Sequence, residues 1–339
     1  MGNVKLSELA ERAGVSLTTV SRALNKSGYV AKEVAERIDR AIEETGYVHP
    51  ARKNPLYRDN LIGVITLQST LSPYLGVLTQ ALRDKAEESG YYALQVSTTD
   101  LDNDALTYHV KRLAAIGVCG LVVCSFNSSR LESETRAVLN RSGVPVVFLE
   151  RAPDCHGFNR VLVDNELGTY SATRHLIKRG HRHLVYISLD KKMDAELSRT
   201  NGFLKAVEQE PKGSIVHRLL YCKTITPIEA AGVMREAMTI DPAISGVITW
   251  NDVYAAGAVH YFTKVGRIIP DEIEVIGHDN VLAPHLAQPI SSVAMPIDEM
   301  AAAAVEIISR SQDQKSLLTP RTITLEPRLV LQNQASQEE

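Results

Sequence analysis

From Leu6 the apolar positions recur at helical spacing, through Leu9, Ala10 and Ala13, until Gly14 interrupts them. Ser16 stands in the position of an N-cap before LTTVSRALN, where Val20 and Leu24 form a second apolar stripe. A third helical pattern runs from about Ala31 to Glu44, with Val34, Ile38, Ala41 and Ile42 inward, and Gly46 closes it. Two helices joined by a tight Ala-Gly-Val-Ser turn and braced by a third predict a helix-turn-helix unit. His49 to Asn60 contains two prolines and no apolar period, and reads as a linker. From Leu61 the period changes. LIGVITL, YALQVST, CGLVVCS, VPVVFLE, LVYISL, IVHRLLY, SGVITW and IEVIG are short β-rich runs separated by amphipathic helical stretches. Near-continuous apolar strands alternating with helices predict parallel α/β sheets, and this many core strands favour two doubly wound lobes over one. In such sheets a ligand sits outside the carboxyl ends of the strands.

The chain has 339 residues, 44% hydrophobic and 23% charged, which places it among folded proteins of more than one domain. No apolar run reaches the length of a membrane span and the start lacks an apolar signal core, so a soluble cytoplasmic protein with no membrane partner is expected. Cys119 and Cys124 lie in VCGLVVC, a buried-strand pattern, while Cys155 and Cys222 are scattered; no metal site and no cofactor is expected. The net charge of −3 argues against a protein coated in nucleic acid. Residues 1–60 nevertheless carry ten Lys/Arg against eight Asp/Glu, so a mildly basic head precedes an acidic body. There is no G-x-G-x-x-G after the first strand, no G-x-x-x-x-G-K-[ST] and no G-x-S-x-G. Dinucleotide enzymes, phosphate-loop NTPases and α/β-hydrolases therefore lose their main support, and no catalytic residues are assigned.

KLSELAERAGVSLTTVSRALN and VAERIDRAIEETGY resemble the DNA-binding domain of the lac repressor/galactose repressor family of bacterial transcription factors. VDNELGTYSATRHLIKRGHRHLVYIS, SRTNGF, TWNDVYAAGAV and IIPDEIEVIGHDN resemble later stretches of that family, in the family's order. The resemblance implies a small all-α helix-turn-helix head and an α/β domain of two lobes with parallel sheets, built like periplasmic binding proteins. It also implies a homodimer on double-stranded operator DNA. The expected divisions are a head at 1–47, a linker or atypical hinge at 48–60, an effector-binding and dimerisation domain at 61–332, and a polar tail at 333–339. Its lobes are expected at 61–160 plus 291–325 and at 161–290 plus 326–332. The tail lacks leucine heptads, which favours a dimer over a tetramer. Two departures stand out: Lys5 replaces the family's usual Thr cap, and Pro55 immediately precedes Leu56, the residue matching the family's minor-groove leucine. A proline there opposes a hinge helix.

In the second helix Leu17, Thr18, Thr19, Ser21 and Arg22 point away from the Val20/Leu24 stripe, flanked by Ser16 and Asn25. The resemblance implies base reading by Leu17, Thr18 and Arg22. An arginine fork pairs with guanine O6 and N7 together, and Leu17 can meet a thymine methyl. Thr19 and Ser21 are expected on phosphates, which position without specifying. For the effector, candidates gather at strand carboxyl ends: Ser69 and Tyr74 after the first strand, Ser125 after the third, and Glu150 beside Arg151 after the fourth. Arg199 lies in SRTNGF at an expected helix start, Trp250 and Asn251 follow GVIT, and Asp279 follows EVIG. Residues matching Arg199, Asn251 and Asp279 hydrogen-bond polyhydroxyl or purine effectors in the family. Asn251 could instead only cap the following helix, and Asp279 could be a turn residue. Ile225 stands where several members keep a stacking aromatic, which tilts the expectation from purine to sugar or sugar derivative. His181 and His183 are read as packing or capping residues. The expected function is a sequence-specific transcriptional regulator, a repressor, whose operator binding a carbohydrate-like effector changes. The alternative is a cytoplasmic sugar-binding sensor with weak or lost operator binding.

Overall fold

The computed structural model describes residues 6–25, 30–45, 60–68, 72–152, 157–190, 194–313 and 319–332. Lys5, Gly46, Pro55, Leu56, Ser69, Cys155 and the 333–339 tail lie outside the described residues, as do the side chains of Leu24 and Asn25. The chain divides into two units, Met1–Asp59 and Asn60–Glu339.

The first unit holds α1 (Leu6–Ala13), α2 (Leu17–Asn25) and α3 (Lys32–Thr45). Their apolar stripes meet in a core of Leu9, Ala10, Ala13, Val20, Ile38 and Ala41. The turn between α1 and α2 needs glycine: Gly14 has φ 63°, and a Cβ there would stand 2.6 Å from Nη2 of Arg37. That guanidinium donates to the carbonyls of Ala13 (2.6 Å) and Gly14 (2.9 Å), which are the unpaired carbonyls at the end of α1.

The second unit contains two six-stranded sheets. The first comprises β1 (Leu61–Leu67), β2 (Tyr92–Thr98), β3 (Gly120–Cys124), β4 (Val146–Glu150), β5 (Asn159–Val163) and β11 (Thr322–Leu325), in the order β11-β5-β4-β3-β1-β2. The second comprises β6 (His183–Leu189), β7 (Val216–Cys222), β8 (Gly246–Thr249), β9 (Glu274–Asp279), β10 (Ser291–Ala294) and β12 (Arg328–Val330), in the order β12-β10-β9-β8-β6-β7. All pairs are parallel except β10–β12. Continuous apolar strands result because both faces of a sheet are covered. In the first sheet Ile62, Val64, Val122, Cys124, Val147 and Leu149 face one core. Leu61, Ile65, Leu121, Val123, Val146 and Phe148 face the other, as the two-residue period requires.

The helices are α4 (Pro73–Glu88), α5 (Asn103–Ile116), α6 (Ser133–Arg141), α7 (Asn165–Lys178), α8 (Asp194–Glu208), α9 (Pro227–Ile240), α10 (Asp252–Lys264) and α11 (Ile297–Asp313). Two details differ from the sequence reading. Ser291–Ala294, placed there with the first lobe, pairs in register with β9 of the second sheet, and β5 runs on to Val163 in the first. The chain thus changes sheet after β5, after β10 and between β11 and β12. In both sheets the strand order reverses beside the first strand of the lobe, between β1 and β3 and between β6 and β8. Those switch points are where two following loops diverge and leave a crevice.

Candidate functional site

A cavity of about 520 Å³ opens at the carboxyl ends of both sheets, lined at the two switch points by Leu67 and Ser125 and by Leu189 and Trp250. Tyr74, Glu150, Arg199, Asn251 and Asp279 line it too, so the cavity brings together every described effector candidate. Among the described residues, the non-glycine residues with positive φ are Ser125 (59°), Glu150 (69°), Asp279 (94°) and Asn280 (55°). Three of these four line the cavity. Each left-handed residue costs on the order of 1–3 kcal/mol, so the strand ends hold strained backbone where their side chains meet.

Arg199 is 3% exposed. It sits in the second turn of α8, which begins at Asp194, and not at a helix start as its sequence context suggested. Its Nε donates to Oδ1 of Asn165 at 2.7 Å, its Nη1 to the carbonyl of Trp250, and its Nη2 lies 3.7 Å from Oδ1 of Asp279. Its guanidinium carbon is 5.6 Å from the centroid of the Trp250 ring, so the arginine covers part of that ring. Burial pushes the Asp279 carboxyl well above the usual carboxylate range, against the pull of Arg199. Burial and Arg199 together hold the adjacent His278 well below the usual range, as a neutral imidazole. Asn251 both lines the cavity and caps a helix, accepting from the Tyr254 backbone N–H at 3.0 Å.

From the first lobe, Glu150 accepts from the Ser125 hydroxyl and lies 3.6 Å from Nε of Arg151. Tyr74 is buried, with its hydroxyl 3.7 Å from Sδ of Met300. Burial, aided by Glu150 and Asp279, raises its pKa well above the usual value, so it stays a neutral phenol.

Two supporting residues had no assigned role in the sequence. Asn165 orients Arg199, as described. Asp252, next to Asn251, is 2% exposed; its Oδ2 accepts from the backbone N–H groups of Val281 (2.7 Å), Leu282 (2.9 Å) and Ala283 (3.1 Å). Its Oδ1 accepts from Ser292 Oγ at 2.7 Å. A Cβ on Gly277 would meet that Oδ1 at 2.3 Å, which is why the strand carries glycine there. Asp252 thereby pins the loop after Asp279. The available signal was a buried-type Asp at a helix N-terminus in WND, which could not reveal partners some 30 residues away.

The second candidate surface is α2 of the head. Ser16 caps it, its Oγ accepting from the Thr19 N–H at 3.1 Å. Leu17 is 50% exposed, Thr18 and Arg22 are exposed, and Thr19 and Ser21 are half-buried. His181 and His183 do belong to the framework. His181 Nε2 is 3.2 Å from Glu274 and its Nδ1 3.0 Å from Ser245 Oγ, while His183 Nδ1 is 2.9 Å from Asp241. Among the described residues no group of three or more His, Cys, Asp or Glu is arranged to hold a metal ion. No helix among them is long and apolar enough to cross a membrane.

Residues 5–50 match the model for bacterial regulatory proteins of the lacI family, and residues 173–332 match that for a periplasmic binding protein-like domain. The HTH-type transcriptional regulator DegA of Bacillus subtilis is 27% identical over 333 residues, covering 97% of each chain. The ribose operon repressor of Halalkalibacterium halodurans is 29% identical over 317 residues, covering 93% of this chain and 92% of the relative. The crystal structure of a lac repressor dimer bound to operator and an anti-inducer superposes with a TM-score of 0.68 at 21% identity, covering 97% of this chain and 98% of that one. Head, two-lobed domain and their order along the chain agree throughout: this chain joins a lacI-family DNA-binding domain to a periplasmic binding protein-like domain, and its relatives along nearly its whole length are lacI-family regulators.

Proposed function

We propose that this protein is a homodimeric, operator-binding transcriptional repressor whose DNA affinity is set by a hydroxyl-rich small molecule bound in the cavity between the lobes. One observation carries the reading. A capped helix exposing Leu17, Thr18 and Arg22 occurs in the same chain as a cavity at the switch points of two sheets with buried polar side chains in its lining. Arg22 supplies base contacts and Thr19 and Ser21 supply phosphate contacts. In the cavity Arg199, Asn251 and Asp279 from one lobe and Tyr74, Ser125 and Glu150 from the other offer donors and acceptors to hydroxyl groups. A ligand touching both lobes changes their relative position, and with it the affinity for DNA, by a reciprocal coupling. The similarity to a ribose operon repressor supports a sugar. No catalytic role is assigned to any cavity residue.

The test is to select the preferred site from random duplex DNA and measure binding by fluorescence anisotropy with and without a panel of sugars. A two-fold symmetric site, an affinity that falls steeply with salt, and a sugar that shifts it are expected. Equal affinity for selected and random DNA would instead favour a sensor without operator recognition.

A further inference from the structure

Glu196 precedes Arg199 by three residues on α8, and so lies on the same face of that helix. It is 2% exposed, and neither carboxylate oxygen has a hydrogen-bond partner among the described residues. Its counter-charge comes from the other lobe: Nη2 of Arg151, just beyond β4, stands 3.4 Å from Glu196 Oε1. The same guanidinium lies 3.6 Å from Glu150 on its own lobe. Arg151 is therefore held between two buried carboxylates, one from each side of the cleft. The buried cation Arg199 is engaged by Asn165, the Trp250 carbonyl and Asp279.

Among the described residues three buried carboxyl groups, Glu150, Glu196 and Asp279, thus share the buried guanidinium of Arg199 and the half-buried one of Arg151. Among the described residues Lys223 is the remaining cation on the cavity lining; it is exposed, and its charge is screened by solvent. Resting on the effector reading above, we propose that the ligand is an uncharged, unphosphorylated polyol, and that Glu196, which is not itself on the cavity lining, sets this preference by committing Arg151.

The physical reason lies in what each ligand class must exchange for water. A phosphate ester brings close to two negative charges, and burying them requires cations that are not already satisfied. Here Arg151 would have to leave Glu150 and Glu196, whose freed charges would repel the ester, and Arg199 would have to leave Asn165 and the Trp250 carbonyl. Sugar hydroxyls need no such exchange, because each can donate to a carboxylate oxygen while accepting from a guanidinium N–H. Discrimination thus comes from repulsion of the wrong ligand as much as from contacts to the right one.

The experiment is calorimetry on the full chain with ribose, glucose and cellobiose, and with ribose 5-phosphate, glucose 6-phosphate and cellobiose phosphate. At least one free sugar is expected to bind, and its own ester to bind about tenfold more weakly or worse. Glu196→Gln, shown by its thermal transition to be folded, is expected to narrow that ratio, because Arg151 then carries charge to spare. Glu150→Gln, which frees the same guanidinium from the opposite lobe, is the second variant and should do likewise. An ester that binds as tightly as its parent sugar overturns the inference and leaves the proposed function standing. An unchanged ratio in folded Glu196→Gln removes Glu196 as its determinant. If neither sugars nor esters bind or alter operator affinity, the effector reading fails and the inference goes with it.

Discussion

Arg22 in the head and Arg199 in the cavity carry the same guanidinium to opposite ends of the solvent scale. Arg22 is exposed on α2, where water solvates its charge and folding asks nothing of it. Arg199 is 3% exposed and has exchanged water for Asn165, a carbonyl and Asp279. A DNA-reading arginine can wait in solvent because its partner brings a dense field of negative charge. A residue for a neutral ligand must be oriented in advance, because hydroxyl groups supply no long-range attraction. Stability and recognition are therefore separable in the head and entangled in the cavity.

The largest test of that contrast is Arg199→Ala. Removing one partner of a buried network leaves Asp279 and Asn165 uncompensated, and a loss of about 3–5 kcal/mol of unfolding free energy is expected, together with loss of sugar binding. Urea denaturation checks it, and a change below about 1 kcal/mol would mean the network relaxes freely around the gap. Arg22→Ala is the counterpart. Operator affinity should fall by about 1–3 kcal/mol per half-site with relaxed base preference at one position, while unfolding free energy moves by no more than about 0.5 kcal/mol. Equal losses on selected and random DNA would reduce Arg22 to a phosphate contact.

The two N-caps sharpen the comparison at a smaller scale. Ser16→Ala and Asn251→Ala each remove one side-chain acceptor at a helix start, worth about 1 kcal/mol of stability. Only the second should also weaken sugar binding, and calorimetry on both variants separates the roles. The smallest effect expected is one of pH. Burial alone would raise the Glu274 carboxyl, but the hydrogen bond from His181, with His175 and Arg179, overcomes this and holds it below the usual value of 4.5. A depressed folded-state value means that the stabilisation is present above pH 4.5 and is lost as pH falls through the folded value. The melting temperature of the second unit should accordingly drop more steeply with acid in the wild type than in Glu274→Gln. Parallel curves would show that Glu274 does not titrate differently on folding.

Much of the architecture was legible because it repeats locally. Helical spacing in Leu6, Leu9, Ala10 and Ala13 and the cap at Ser16 need no distant partner, and they recur in the structure where the pattern put them. The eight β-rich runs were equally visible; burial on both faces writes a continuous apolar run in the central β1, β3, β4, β6, β8 and β9, while the edge strands β2 and β7 are more exposed. The strands that escaped notice were β5, β10, β11 and β12, which are short edge or crossover strands with polar positions. Their pairing depends on where the chain changes sheet, and no local period encodes that.

Most cavity candidates share one trait: Ser125, Glu150, Trp250, Asn251 and Asp279 stand at or just after strand ends, so their position at the carboxyl edge was readable in advance. Arg199 lies inside a helix and not at its start, since α8 already runs from Asp194 to Glu208.

The sequence by itself therefore determined the helices of the head, eight of the twelve strands and their order, and most of the residues that stand at strand ends. Tertiary structure alone decided that Glu196 and Arg151 meet across the cleft, that Asp252 pins the loop after Asp279, and that Asn251 serves two masters. The reason is physical. Hydrophobic period and capping act over a few residues, whereas a buried charge takes its partner from whatever segment the fold carries within a few ångströms of it.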